Sequence, residues 1–325
     1  MSKNVYVTRL IPDHGLDLLK KFCDKVDMNP HDRPLTRREL LKAIQGRDAV
    51  LTQLVDKIDS EALAAARGVK IIANYAVGFD NIDLPAATAQ GVFVSNTPGV
   101  LTDTTAEMAW SLLFSVSRRI VEGDKMMRDG EFKGWAPLLL LGQDISNKTL
   151  GIVGAGRIGT AMAMMSKGFN MRVLYWDKMK NESLEKELGA RQVNLDTLLQ
   201  ESDVVSLHVN MTGETRHLID KEQFERMKPT AVLINTSRGP VINEKALVEA
   251  LKSGRIFGAG LDVYEKEPSL TPGLERLPNV VLAPHIASAT VETRTKMAIL
   301  AAENILAALQ GKRPPSLVNT EVWKG

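Results

Sequence analysis

At 325 residues the chain is long enough for two domains with sizeable cores, and 44% hydrophobic with 25% charged residues is the composition of a soluble globular protein. A formal net charge of +2 gives no reason to propose a nucleic-acid or membrane partner. The single cysteine, Cys23, excludes an internal disulfide and a cysteine-based metal cluster and fits a reducing cytosol.

The start, MSKNVYVTRL, has no apolar signal core and reads as a first strand. From there to residue 96, β-rich runs (VYVTRL, DAVLTQL, VKIIANYA, VFVSN) alternate with helix-like ones (GLDLLKKF, TRRELLKAI, SEALAAA, LPAATAQ). That alternation predicts a mostly parallel sheet covered on both faces. No GxGxxG occurs in this half, so it is not expected to hold a dinucleotide. Thr97-Pro98-Gly99 marks a domain boundary. A long helix is predicted over 102–120 and a second over 121–132. The apolar segment GWAPLLLLGQDISNK follows, and its LLLLG run is far too short to span a bilayer. It reads either as a loop packed on its own domain or as an arm that buries itself on a second subunit. A cytoplasmic protein is expected.

Residues 149–177, TLGIVGAGRIGTAMAMMSKGFNMRVLYWD, organise the second half. A β-rich run meets Gly154-x-Gly156-x-x-Gly159, a helical stretch follows, and a second β-rich run ends on Asp177. Gly154 permits the tight turn, Gly156 lets a pyrophosphate approach the backbone, and Gly159 lets helix and strand pack closely. The loop residues Gly154, Ala155, Gly156, Arg157, Ile158 and Gly159 are therefore candidate contacts of a dinucleotide, with its phosphates at the helix start. Asp177, 18 residues after Gly159, can bond the ribose hydroxyls, with Lys178 beside it.

Further strands are predicted in DVVSLHV, AVLINTS, FGAGLDV and NVVLAPHI, with EKALVEALKSG an amphipathic helix between two of them. Ligands bind at the carboxyl ends of such strands. Those ends carry His208, then Thr236-Ser237-Arg238, then Asp262, then His285 with Ala287 close behind. A last helix over 289–310 returns to cover the first domain. The expected division is 1–99 with 290–325 as one discontinuous domain, and 100–289 as the dinucleotide-binding domain. Met162, Met164 and Met165 read as core filler.

Oxidising an alcohol with a nicotinamide needs a general base near neutrality, for which histidine is the first candidate. His14, His31 and His217 lie in polar segments and read as solvated surface residues. His208 reads as a core histidine. His285 follows Ala283-Pro284 at a strand end and precedes small residues, which leaves both a structural and a functional role open. Arg238, usually a surface charge in isolation, could clasp a carboxylate from a strand end with two bonds. Glu267 reads as a surface-loop residue unless it meets His285. No ligand cluster suggests a metal.

Six motifs in one order carry a family resemblance: NYAVGFDNID (74–83), NTPGVLTDTTAE (96–107), GIVGAGRIG (151–159), MKPTAVLINTSRG (227–239), GAGLDVYEKEP (258–268) and LPNVVLAPHIASAT (277–290). The chain resembles the D-isomer-specific 2-hydroxyacid dehydrogenases over nearly its whole length, and among them the glyoxylate/hydroxypyruvate reductases. The resemblance implies two Rossmann/flavodoxin-like α/β domains with mostly parallel, doubly wound sheets and the active site in the cleft between them. It implies reduction of small 2-keto acids, glyoxylate and hydroxypyruvate, with Arg238 on the substrate carboxylate, Glu267 holding His285, and His285 protonating the keto oxygen. The backbone amides of Val77 and Gly78 match a second carboxylate clamp, and Leu54 a pocket wall. Asp262 matches a contact to the nicotinamide carboxamide and Thr105 one to the cofactor phosphate. Thr236, Ser237, Arg238, His285 and Ala287 complete the implied cofactor contacts. A homodimer through the cofactor domain is also implied.

Many glyoxylate reductases that use NADP have a small residue and an arginine where this chain has Asp177-Lys178. A carboxylate there repels a 2′-phosphate, so NAD is expected over NADP, with Lys178 and Lys180 pulling the other way. Ala287 replaces a glycine common in the family. A D-lactate- or glycerate-type dehydrogenase, or a non-catalytic NAD(H)-sensing protein, are the alternative readings.

Overall fold

Apolar runs of four residues, buried on both sides, demand helices on both faces of a sheet. The computed structural model describes residues 3–324. They form two units, one running up to Leu101 and resuming from Ala289, the other Thr102–Ser288. In the first, β1 (Asn4–Val7), α1 (Asp13–Phe22), β2 (Lys25–Met28), α2 (Arg37–Ala43), β3 (Ala49–Thr52), α3 (Ser60–Ala65), β4 (Ile71–Asn74), α4 (Leu84–Ala89) and β5 (Phe93–Ser95) follow in turn. The sheet order is β2-β1-β3-β4-β5, every described pair parallel. β3 and β4 are buried throughout. Thr36 and Glu39 form a reciprocal capping box at α2, and Asp59 and Asp83 accept N–H bonds at the starts of α3 and α4. Each such cap contributes about 1 kcal/mol. β2, KVDM, is missing from the runs read above because two of its four residues are charged. It survives as an edge strand paired only with β1.

The second unit contains α5 (Thr102–Ser117), α6 (Ile120–Arg128), β6 (Thr149–Val153), α7 (Arg157–Met165), β7 (Arg172–Trp176), α8 (Glu182–Leu188), β8 (Arg191–Gln192), α9 (Leu195–Glu201), β9 (Val204–Leu207), α10 (Lys221–Arg226), β10 (Val232–Asn235), α11 (Glu244–Lys252), β11 (Gly258–Leu261) and β12 (Val280–Leu282). Its order is β12-β11-β10-β9-β6-β7-β8, again parallel throughout the described pairs. This is the doubly wound α/β architecture expected from the sequence. The order reverses between β6 and β9, which is where such sheets open a crevice at their carboxyl edge. One face packs Leu198, Phe224, Leu233 and Leu247, the other Leu113, Met162 and Tyr175. Met164 and Met165 pack against the second of these cores.

The helix predicted to reach residue 120 ends earlier, at Ser117, because Arg119 takes a left-handed backbone (φ 52°) and α6 restarts beyond it. In the segment that follows, Trp135, Leu138, Leu139 and Leu141 are exposed, Trp135 by 83%. Leu140 turns inward against Gly123 of α6. The last helix, α12 (Val291–Leu309), belongs to the first unit and packs on α1, β3 and β4. No helix among the described residues is long and apolar enough to cross a membrane.

Candidate active site

The glycine loop sits where β6 meets α7. Gly154 has φ 95°, and a Cβ there would lie 2.8 Å from the His208 carbonyl carbon at the end of β9. A Cβ on Gly159 would lie 2.1 Å from the Gly154 carbonyl oxygen, so only glycine lets α7 start this close to the strand. Gly156 is the residue before α7; open space surrounds its Cβ position, and no side chain caps the helix. Uncapped first-turn amides beside bare backbone make a phosphate site.

Asp177, one residue past β7, points back at this loop. Its Oδ2 accepts from the Ala155 N–H at 2.8 Å and its Oδ1 from the Met179 N–H at 3.0 Å. The Ala155 amide is thus engaged by the acid, and of the loop residues named above it offers the least to a phosphate. Lys178 pairs with Glu214, and Lys180 with Glu185. Asn181, which the sequence reading passed over, donates to the Ala155 carbonyl at 2.9 Å and to Thr160 Oγ1 at 2.8 Å while capping α8. Its signal was present as an asparagine directly before ESLEKEL.

The ends of β10, β11 and β12 bring together the remaining candidates of this unit. At the end of β10, buried Asn235 accepts from the Ser237 N–H and Oγ and donates to the Arg238 carbonyl, folding the turn that presents Arg238. The Thr236 hydroxyl is buried with no protein partner among the described residues, a polar atom suited to a bound ligand. Past β11, fully buried Asp262 accepts from the N–H groups of Ile286 (2.7 Å) and Ala287 (2.8 Å). Burial pushes the Asp262 pKa up against the pull of those two donors. Both oxygens anchor the loop behind His285, where the resemblance implied a contact to the cofactor. The Ala287 amide is engaged in the same anchor.

His285 itself has φ 55°, a left-handed conformation that costs a non-glycine residue about 1–3 kcal/mol and is held by its surroundings. Its Nδ1 lies 2.9 Å from Glu267 Oε2, and Glu267 Oε1 accepts from the Tyr264 N–H at 3.0 Å. Burial alone would raise the Glu267 pKa, but the His285 bond and charge, the Tyr264 donor and the charge of Arg238 outweigh it and hold it below the usual carboxylate range. An ionised carboxylate only accepts, so Nδ1 carries its hydrogen and Nε2 is the position left for a substrate. The two side chains are 27% and 28% exposed. Glu267 is therefore a partner of His285 rather than a plain surface residue.

The other histidines divide. His14 and His31 are exposed. His208 bonds Ser206 Oγ at 2.9 Å, and desolvation pushes its pKa down to about 3, so the ring is neutral at pH 7. His217, expected at the solvated surface, is instead half-buried and bonded to Glu265 at 2.8 Å. Nothing in its polar neighbours pointed to a partner 48 residues away. Among the described residues no group of three His, Cys, Asp or Glu side chains is placed to hold a metal ion. Thr105 is buried in the first turn of α5. Leu54, Val77 and Gly78 belong to the first unit, at the ends of β3 and β4. There Asn74 donates to the Gly78 carbonyl at 2.8 Å and Asn96 to that of Val77 at 2.7 Å.

Residues 110–287 match the family model of the D-isomer specific 2-hydroxyacid dehydrogenase, NAD binding domain. A glyoxylate reductase of Korarchaeum cryptofilum is 50% identical across 100% of this chain and 98% of its own. The chain belongs to the D-isomer-specific 2-hydroxyacid dehydrogenases. Among solved structures of this architecture, the TT0316 protein of Thermus thermophilus superposes with a TM-score of 0.90 at 45% identity, over 97% of this chain and 99% of that one. The NADPH-dependent glyoxylate/hydroxypyruvate reductase of Sinorhizobium meliloti, solved with NADP and malonate, gives 0.87 at 29%, over 100% and 99%. As a member of the family this chain binds a nicotinamide dinucleotide, and the bare helix start at Gly156 and the unpaired Thr236 hydroxyl fit one.

Proposed function

We propose that the protein reduces small 2-keto acids, glyoxylate and hydroxypyruvate foremost, to 2-hydroxy acids with NADH. One observation carries the reading: Glu267 holds Nδ1 of His285 at 2.9 Å, on the same sheet edge as Arg238 and the glycine loop, which leaves Nε2 to meet a carbonyl oxygen. When bound, the reduced nicotinamide supplies the hydride. Arg238 clasps the substrate carboxylate and polarises the carbonyl. The Nε2 proton of His285 passes to the keto oxygen as the carbon is reduced, leaving a neutral imidazole. Glu267 fixes the tautomer and faces the charged ring before the transfer. Asp262 is engaged through the loop it anchors. In the first unit, the resemblance assigns the Val77 and Gly78 amides to the carboxylate and Leu54 to the pocket wall.

NAD is preferred in this reading because a carboxylate at the end of β7, Asp177, disfavours a 2′-phosphate, and the two lysines that could offset it already face glutamates. A homodimer is part of the same reading. Ile120, Val121, Met127, Phe132, Trp135 and Leu138 are exposed on α6 and the segment after it, apolar side chains that a second subunit could cover. A cytoplasmic location belongs to the same reading, since a lone cysteine fits a reducing compartment.

Initial rates of NADH and NADPH oxidation with glyoxylate, hydroxypyruvate and pyruvate test the proposal. Faster turnover of the first two with NADH is expected. No turnover of any keto acid, despite tight NADH binding, would reject it.

A further inference from the structure

His217 lies in the loop after β9 and takes a left-handed backbone, φ 51°. Its N–H donates to the Pro240 carbonyl at 2.8 Å. Two residues on, Ile219 pairs with Ile242 in a parallel bridge, so the whole segment is laid alongside the chain that leaves Arg238. The ring reaches the other way. Its Nε2 donates to Glu265 Oε1 at 2.8 Å, and the pair is 31% and 15% exposed. Glu265 is fixed further: its N–H donates to Glu244 Oε1 at 2.5 Å, and its Oε2 accepts from the Glu244 N–H at 3.3 Å. Glu244 in turn accepts from the Thr271 hydroxyl at 2.6 Å, and the Arg216 guanidinium stands 3.8 Å from Glu265. Burial raises the Glu265 pKa less than the bonds from His217 and Glu244 lower it, so the carboxylate is charged and the ring nitrogen donates.

One residue thus ties together two strand-end segments. Pro240 is two residues after Arg238, and Glu265 is two residues before Glu267. Between them the backbones already touch, since a Cβ on Gly239 would lie 1.8 Å from the Tyr264 carbonyl carbon. We propose that His217, through Glu265, is a positioning residue that sets the distance between the substrate clamp, Arg238, and the proton donor pair, Glu267–His285. This rests on the function proposed above. His217 need not touch the substrate; it keeps the group that binds the carboxylate in register with the group that protonates the carbonyl. A misplacement near 1 Å between such groups costs about 100-fold in rate.

His217→Asn isolates the bond, because asparagine tolerates the left-handed backbone and keeps the Pro240 contact but cannot reach Glu265. Steady-state glyoxylate reduction and NADH binding by fluorescence are measured on the full-length parent, His217→Asn and His217→Gln. The expected result for His217→Asn is a kcat at least about tenfold lower, with the glyoxylate KM and the NADH Kd within about threefold of the parent. His217→Gln, whose amide reaches Glu265, recovers most of the loss. A kcat for His217→Asn within about twofold of the parent overturns the proposal, as does a loss of NADH binding that parallels the loss of kcat. If His217→Asn does not fold, Glu265→Ala removes the same bond from its other end: reduced kcat at unchanged NADH Kd supports the proposal, and unchanged kcat overturns it. An inactive parent would instead reject the reductase reading itself.

Discussion

Two histidines of the second unit share a plan and differ in what they leave open. His285 and His217 both have left-handed backbones, and each bonds a glutamate of the same short loop, Glu267 and Glu265. His285 spends Nδ1 on its glutamate and keeps Nε2 for chemistry. His217 spends Nε2 and its backbone N–H on holding two segments together. In the proposed function the same imidazole–carboxylate pair therefore serves as a proton donor or as a brace, depending on which nitrogen faces the protein. A third histidine, His208, has only a serine hydroxyl, and burial pushes it to about 3.

The contrast can be broken most severely at the clamp both histidines serve. Arg238→Ala should lower kcat/KM for glyoxylate by about 1000-fold, since a bidentate charged bond is lost, while NADH binding falls far less. Steady-state rates with a parallel NADH titration check it. Glu267→Gln should cost about 10- to 100-fold in kcat, because the carboxylate that fixes the tautomer and orientation of the His285 ring is gone.

His208 sharpens the same point through stability. Its folded pKa lies below that of a free histidine, so the unfolded chain binds the extra proton as pH falls from about 6.5 toward about 3, and stability declines with falling pH in that window. Relative to a His208→Gln variant, the parent should lose about 2 kcal/mol between pH 6.5 and pH 5, measured by urea unfolding at the two values. The smallest effect is expected at the cofactor end. Asp177→Ser should raise the NADPH-to-NADH ratio of kcat/KM by about tenfold, as a like-charge clash is removed.

What could be read beforehand was what is encoded locally. The turn at Gly154, the close approach at Gly159 and the acid at Asp177 all act within 30 residues of one another, and buried parallel strands such as VLIN and VVSL declare themselves by short, mainly apolar, β-branched runs. β2 did not, because an edge strand needs no continuous apolar face. Side-chain pairing was less accessible. Glu267 and His285 lie 18 residues apart, and His217 and Glu265 lie 48 apart, distances that only the strand order closes. Asp262 was legible as a strand-end acid, but its grip on the amides of Ile286 and Ala287 was not, since a backbone donor leaves no mark in a sequence.

The most direct test of the account is glyoxylate-dependent NADH oxidation by His285→Ala, with NADH affinity measured on the same preparation. The expected rate is at least about 100-fold below the parent with the NADH Kd nearly unchanged, because in the proposed function Nε2 of His285 carries the proton and the glycine loop carries the cofactor. A variant that reduces glyoxylate as fast as the parent would contradict it.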